Sequence, residues 1–351
     1  MIMLKHFISV WVGFLSFYSC FGQQTLKSCG TGNNELSYNN SIGVVANMAD
    51  PFVLRSGGKY YLYGTDAGGD AQFGFKVYES TDLVTWSNPV GVHEGGRALK
   101  KTNSWGTKGF WGAEVYERGG SFYMYYTVEE HLAIATSSSP LGPFIQEEKK
   151  PVHIQKEIDP HLFVDDDGRA YMYYVSFENK SNDIYVVEMN DDWLTPKEDT
   201  KTRCIWFTQP WENADPKFAK WPVTEGSAVL KQKGIYYLFY TGNHFLSPKY
   251  AVGYATATSP MGPWTKYEGN PILSETKNLR GTGHCSFVKA PNNEIVMVYH
   301  SHKNVTTPNP RKMAIDRGEF VANPDKSKPD IFKIKATDTK QVVPWKALND
   351  K

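Results

Sequence analysis

The sequence predicts an all-β chain, a five-bladed β-propeller with four-stranded antiparallel blades around a central funnel. Three observations lead there: a hairpin pattern recurs five times, its spacing suits propeller blades, and no long helical periodicity interrupts it. The copies are "ADPFVLRSGGKYYLYGT" from Ala49, "WGAEVYERGGSFYMYYT" from Trp111 and "IDPHLFVDDDGRAYMYYV" from Ile158. "TEGSAVLKQKGIYYLFYT" from Thr224 and "TGHCSFVKAPNNEIVMVYHS" from Thr282 complete the set. Each is an apolar strand, a turn rich in Gly, Asp or Asn, and a second, more aromatic strand. With Tyr61, Tyr123, Tyr171, Tyr237 and Val296 as equivalents, the steps are 62, 48, 66 and 59 residues. Hairpins repeating at that length mark radial repetition, in which each blade holds four strands.

At the N-terminus, Lys5 precedes an apolar run from Phe7 to Phe21 that is too short to span a bilayer. Small residues Cys20 and Gly22 then stand ahead of Gln23. Residues 1–22 are expected to be a signal peptide, 23–43 an N-terminal segment and 44–351 a single propeller. Export to the periplasm or the extracellular space follows. Lipid anchoring at Cys20 is the alternative, although "FYSC" lacks the usual aliphatic residue three before the cysteine. No later segment reads as a membrane span.

In the first blade "FGFKVYES" reads as a third strand, followed by "DLVTW" and a fourth strand near "NPVGV". "ATSSSPLGPF" from Ala135 and "ATATSPMGPW" from Ala255 are near copies, each ending a strand in a Ser-Pro, Gly-Pro turn. Ring closure is expected to bring "DIFKIKATD" from Asp330 beside the first blade.

The 38 basic and 37 acidic residues leave a net charge of +1, which gives no attraction for nucleic acid. Aromatics make up 14%, with 21 Tyr and 10 Trp, which suits strands and the flat, weakly charged faces of sugars. Cleavage of the signal peptide would leave Cys29, Cys204 and Cys285, an odd count without metal-like spacing. Cys285 follows His284 directly, and neighbours in a strand face opposite ways, so it reads as a buried thiol.

The innermost strand of each blade lines the axis, and its first residues gather at one mouth. Asp50, Asp159 and Glu225 stand at the start of copies one, three and four, and His284 in copy five. Converging like charges cost energy unless one is protonated or something binds between them. A lone Asp-Pro would mark a turn, as Asp165, Asp166 and Asp167 do in "VDDDG". Three acids at repeat-related positions point instead to chemistry.

On "ADPF", "WGAEV", "IDPHLF", "EGSAVL" and "GTGHCS", in that order, the chain resembles glycoside hydrolase family 43 from about Val44 to Phe320. The resemblance implies a propeller that cleaves α-L-arabinofuranosidic or β-D-xylosidic bonds with inversion. It implies Asp50 as general base, Glu225 as general acid, and Asp159 as the residue that tunes and orients that acid. Ala113 stands where the family usually carries Pro. Arg311, in "NPRKMAID", falls where related enzymes place an arginine that reaches the sugar and the acids. His284 matches a position that in some relatives supports a central calcium ion through water and in others has no metal. A lone imidazole does not make a calcium site, because that ion prefers oxygen ligands. No cofactor is required. Trp111 and Phe52 are candidates for walls of the sugar pocket, though core aromatics would look the same.

The chemistry is coherent beside the resemblance. Inversion needs a carboxylate to activate water and an opposed carboxylic acid to protonate the leaving oxygen, roughly 6.5–9.5 Å apart. Glu225 must then hold its proton, helped by a negative Asp159, while Asp50 stays ionised. The expectation is an exo-acting hydrolase of plant-type glycans, with pocket walls from "HEGGRALKKTNSWGTKG" at His93 and "TGNHFLSPK" at Thr241. The alternatives are a glycosidase or phosphorylase of another propeller family, or a non-catalytic glycan-binding propeller. The retaining fructan hydrolases usually carry Glu-Cys, whereas Glu225 precedes Gly226. A phosphorylase needs several basic residues where only Arg311 is evident, and a mere binding module has no need of three acids.

Overall fold

The computed structural model describes residues 35–69 and 71–348. The expected signal peptide, Cys20 and Cys29 lie outside the described residues. Five inner strands, Met48–Ser56, Trp111–Arg118, Glu157–Val164, Thr224–Gln232 and Gly283–Lys289, each pair antiparallel with the second strand of their own hairpin. Successive inner strands pack side by side, and Gly283–Lys289 meets Met48–Ser56 to close the ring. The molecule is a five-bladed propeller. No helix among the described residues is long and apolar enough to cross a membrane.

Blades three, four and five hold four strands, their outer edges being Thr202–Ile205, Thr265–Lys266 and Ile331–Ile334. In blade two the outer strand shrinks to the single bridge Thr136–Ile145. Blade one departs further from expectation. "FGFKVYES" divides at Val77: Tyr78–Ser80 stays in the blade, while Gly74–Lys76 pairs with Arg97–Lys100. Gly74, at φ +113°, permits this, because a Cβ there would lie 2.0 Å from the Leu99 carbonyl oxygen. The fourth strand expected near "NPVGV" does not form; ahead of it, in "DLVTW", Asp82 Oδ1 accepts from the Val84 and Thr85 amides at 2.8 and 2.7 Å and fixes a turn.

Closure also differs from expectation. Ile331–Ile334 does not reach blade one but pairs with Lys312–Val321 as the edge of blade five, where Phe332 packs 4.9 Å from Phe239. The ring is fastened instead by a bridge between Val45 and Met313 and by Ser37–Tyr38 pairing with Gln341–Val342. Part of the segment set apart as N-terminal is therefore built into the propeller. The near-copied Ser-Pro turns have matching tasks. Tyr63 of blade one donates to the Pro140 carbonyl, and Tyr173 of blade three to the Pro260 carbonyl, both at 2.5 Å. Both rings are fully buried, so each hydroxyl needs such a partner.

Each inner strand carries a β-bulge at the same place, with one residue in the left-handed region: Asp50 (φ +49°), Gly112 (+56°), Asp159 (+57°), Gly226 (+64°) and His284 (+51°). A bulge re-aims side chains. Three of these residues donate their N–H to a threonine of the preceding blade at 2.9 Å: Gly112 to Thr65, Asp159 to Thr127 and His284 to Thr241. Asp50 uses His300 Nδ1, at 3.2 Å. At the seam between blades three and four Val175 occupies the threonine's register and offers the Gly226 N–H no side-chain acceptor; that N–H instead helps to lower the Asp159 carboxyl. Glu225 is not in this set. It stands one residue earlier, in register with Trp111 and Ile158, because glycine fills the left-handed place in blade four.

Candidate active site

The bulges turn Asp50, Asp159 and His284 toward one mouth of the funnel, and the preceding register adds Trp111, Ile158 and Glu225. Holding a non-glycine residue left-handed costs about 1–3 kcal/mol, least for Asp, whose short side chain tolerates it. These residues line a cavity of about 920 Å³ with Arg311. Its far wall comes from blade four, where Phe218, His244 and Phe245 stack at 4.3 and 4.7 Å. The Arg311 guanidinium lies 4.7 Å over the Phe245 ring.

Asp50 is held by cations. Its Oδ1 accepts from Arg311 Nη1 at 3.0 Å and faces His284 Nδ1 at 3.3 Å and His300 Nδ1 at 3.2 Å. Thr65 donates to Oδ2 at 2.6 Å. Burial alone would push this carboxyl up, but Arg311 first, then His284, outweigh it and hold it well below the usual range. His300 itself is pushed down to about 3 by burial and by Arg311, so its ring is neutral.

Glu225 has the opposite setting. Burial, then the negative Asp159, push it up to about 7, against the opposing influence of His284 and the Tyr250 hydroxyl. Tyr250 OH meets Oε1 at 2.8 Å and Asn182 Nδ2 donates to Oε2 at 2.9 Å. Burial also leads in raising Asp159, to about 6, with Asp50 and Glu114 adding to it and His284 working against it. For His284 burial pulls down, but Asp50, Asp159 and Glu225 outweigh it and favour the imidazolium. The cavity therefore carries one carboxyl held ionised and one poised to keep its proton, the division of labour that acid–base chemistry on a single bond requires.

Six of the sequence-derived site residues, Asp50, Asp159, Glu225, Trp111, His284 and Arg311, come together here. Phe52 does not. It lies two residues past the Asp50 bulge, in the core between blades one and two, with its ring 5.2 Å from Tyr116. Its exposed edge belongs to a separate cavity at the other ends of the inner strands. The loop from His93 is not a wall either: Trp105 packs on His131 at 5.0 Å, and Ala98 and Leu99 are buried in the core. Phe218 and Trp221, before blade four, take that place beside His244 and Phe245 of the Thr241 loop. Asn182, Tyr250 and Trp221 escaped notice because they lie outside the repeated hairpin motifs. His300 was legible, since the repeat puts it where the other hairpins carry Thr65, Thr127 and Thr241.

For a calcium ion at His284 the described residues offer no group of three or more His, Cys, Asp or Glu arranged to hold a metal, although Asp50, Asp159 and Glu225 stand in the same cavity. Cys285 is buried, and burial pushes its thiol up, leaving it inert.

A model of the glycosyl hydrolases family 43 matches residues 39–324. The chain belongs to glycoside hydrolase family 43. This family 43 hydrolase is 38% identical to a solved endo-1,4-beta-xylanase from Bacteroides thetaiotaomicron, at a TM-score of 0.75, over 85% of this chain and 98% of that one. It is 27% identical to the beta-D-galactofuranosidase xynD of Aspergillus niger, over 78% of this chain and 79% of the relative. A putative beta-xylosidase of Xylanibacter ruminicola is also 27% identical, over 69% of this chain but only 42% of its own length. The family 43 hydrolase thus spans less than half of that longer relative.

Proposed function

We propose that this glycoside hydrolase is an exported, exo-acting, inverting enzyme that cleaves α-L-arabinofuranosidic or β-D-xylosidic linkages in plant-type glycans. One observation carries the reading. Within a single cavity Arg311 keeps Asp50 ionised, while burial and Asp159 keep a proton on Glu225. Asp50 is the general base, drawing a proton from water as the water oxygen attacks the anomeric carbon. Glu225 is the general acid and gives its proton to the departing glycosidic oxygen. Asp159 tunes and orients that acid. The aromatic wall of blade four closes one side of the cavity, which supports action on a chain end or side branch. Likeness to the B. thetaiotaomicron xylanase and to the putative beta-xylosidase of X. ruminicola supports xylose-containing substrates. Likeness to the A. niger beta-D-galactofuranosidase makes galactofuranosides the second substrate to assay.

The deciding experiment pairs nitrophenyl arabinofuranoside, xyloside and galactofuranoside with natural oligosaccharides, for wild type and Glu225→Gln. The variant is expected to lose about 10²–10⁴-fold on oligosaccharides, whose leaving oxygen needs protonation, and much less on activated nitrophenyl sugars. Equal losses on both would remove Glu225 as the acid. Proton NMR of the first-formed sugar reads the anomeric outcome, and retention would reject inversion. Fractionation of producing cells tests export.

A further inference from the structure

Asn182 is buried at 8% exposure and joins two cavity residues. Trp221 Nε1–H donates to its Oδ1 at 2.8 Å, and its Nδ2 donates to Glu225 Oε2 at 2.9 Å. The two ends of an amide are normally hard to tell apart. Here chemistry settles them: an indole N–H can only donate, so the amide oxygen must face Trp221 and the NH₂ must face Glu225. The backbone of Asn182 is fastened to the same segment. Its N–H donates to the Pro222 carbonyl at 2.9 Å, and its own carbonyl accepts from Thr224 N and Oγ1 at 3.0 and 2.9 Å. Trp221 stands in the cavity wall, 43% exposed, so a hydrogen-bonded chain runs from that wall to Glu225.

We propose that Trp221 is a positioning residue for the proton donor: by fixing the Asn182 amide it keeps an N–H donor on Glu225 Oε2. The proposal rests on the reading of Glu225 as the acid. In that step the Glu225 O–H bond breaks, its electron pair stays on the carboxylate and the leaving oxygen gains the hydrogen. The new anion then needs donors, and Asn182 on Oε2 and Tyr250 on Oε1 supply them. Of the other groups facing this carboxyl, Asp159 and Asp50 oppose its charge and His284 favours it. Without the indole the amide is free to turn its oxygen toward Glu225, which suits the protonated acid and not the anion.

Trp221→Phe keeps an aromatic wall and removes only the N–H, and Asn182→Ala removes the amide. Carbon-13 NMR titration of the Glu225 carboxyl, assigned with Glu225→Gln, reads its protonation whether or not the protein turns over substrate. The midpoint is expected to rise by about one pH unit in each single variant. The double variant should rise no further, because Trp221 acts only through Asn182. The alkaline limb of kcat/KM should follow the midpoint. An unmoved midpoint in folded Trp221→Phe, with a raised KM, would reduce Trp221 to a sugar wall and overturn the proposal, as would additive shifts in the double variant. If Asn182→Ala does not fold, Trp221→Phe alone decides. Shifted midpoints in a protein whose wild type cleaves no glycoside would support the relay and overturn the proposed reaction instead.

Discussion

Asp159 acts on the reaction through Glu225, whose carboxyl its negative charge helps to raise. Replacing it with Asn removes a negative neighbour, which favours the ionised form of Glu225 and lowers its pKa from about 7. The alkaline limb of kcat/KM, where the acid loses its proton, should therefore move to lower pH in Asp159→Asn. Burial, the larger cause, is untouched, so the limb should stop above the usual carboxylate value. An unchanged limb in an active variant would leave Asp159 as an orienting or substrate-binding group only. At the other carboxylate, Arg311→Gln removes the leading influence that holds Asp50 down. Its carboxyl should titrate at higher pH, and the acid limb of the profile should rise with it. The pH profile of the folded variant checks this, and a fixed acid limb would separate Arg311 from the base.

A blade is a hairpin with a bulge, and its threonine clasps decide where the bulge residue points. Thr127→Val keeps the shape but leaves the Asp159 N–H without its acceptor, a loss of about 1–3 kcal/mol to be read in urea unfolding. Activity should fall by more than the unfolded fraction explains, since Asp159 loses the bond that sets its backbone. The hairpin repeat was fully legible in the sequence. Tyr61, Tyr123, Tyr171, Tyr237 and Val296 pair with Leu54, Tyr116, Phe163, Leu230 and Val288, all equally far beyond the bulge. The offset of Glu225 was not, because one residue of slip is invisible until the left-handed glycine is seen. The relay through Asn182 was not legible either: it joins a loop of blade three to a loop before blade four, and no repeat predicts such a meeting. Phe52 was misread for a simple reason. Two residues along a strand change the depth in the channel without changing the hydrophobic pattern.

Over the whole molecule the ring closes where blade five packs against blade one. Trp345, 5% exposed, donates from Nε1 to the Asp82 carbonyl at 2.8 Å and packs in the cluster shared by blades one and five. Trp345→Ala should cost about 3–5 kcal/mol, measured by unfolding, while kcat and KM per folded molecule stay near wild type because the residue is remote from the cavity. A matching drop in kcat would mean that closure also shapes the site. The fivefold scheme has one deliberate gap, at Val175. A threonine there would offer the Gly226 N–H the partner its counterparts have and draw it away from the Asp159 carboxylate. Symmetry would improve and catalysis would suffer. In a ring grown by copying one motif, the position that resists copying is where the chemistry has been written, and a consensus-guided redesign of the blades would erase it first.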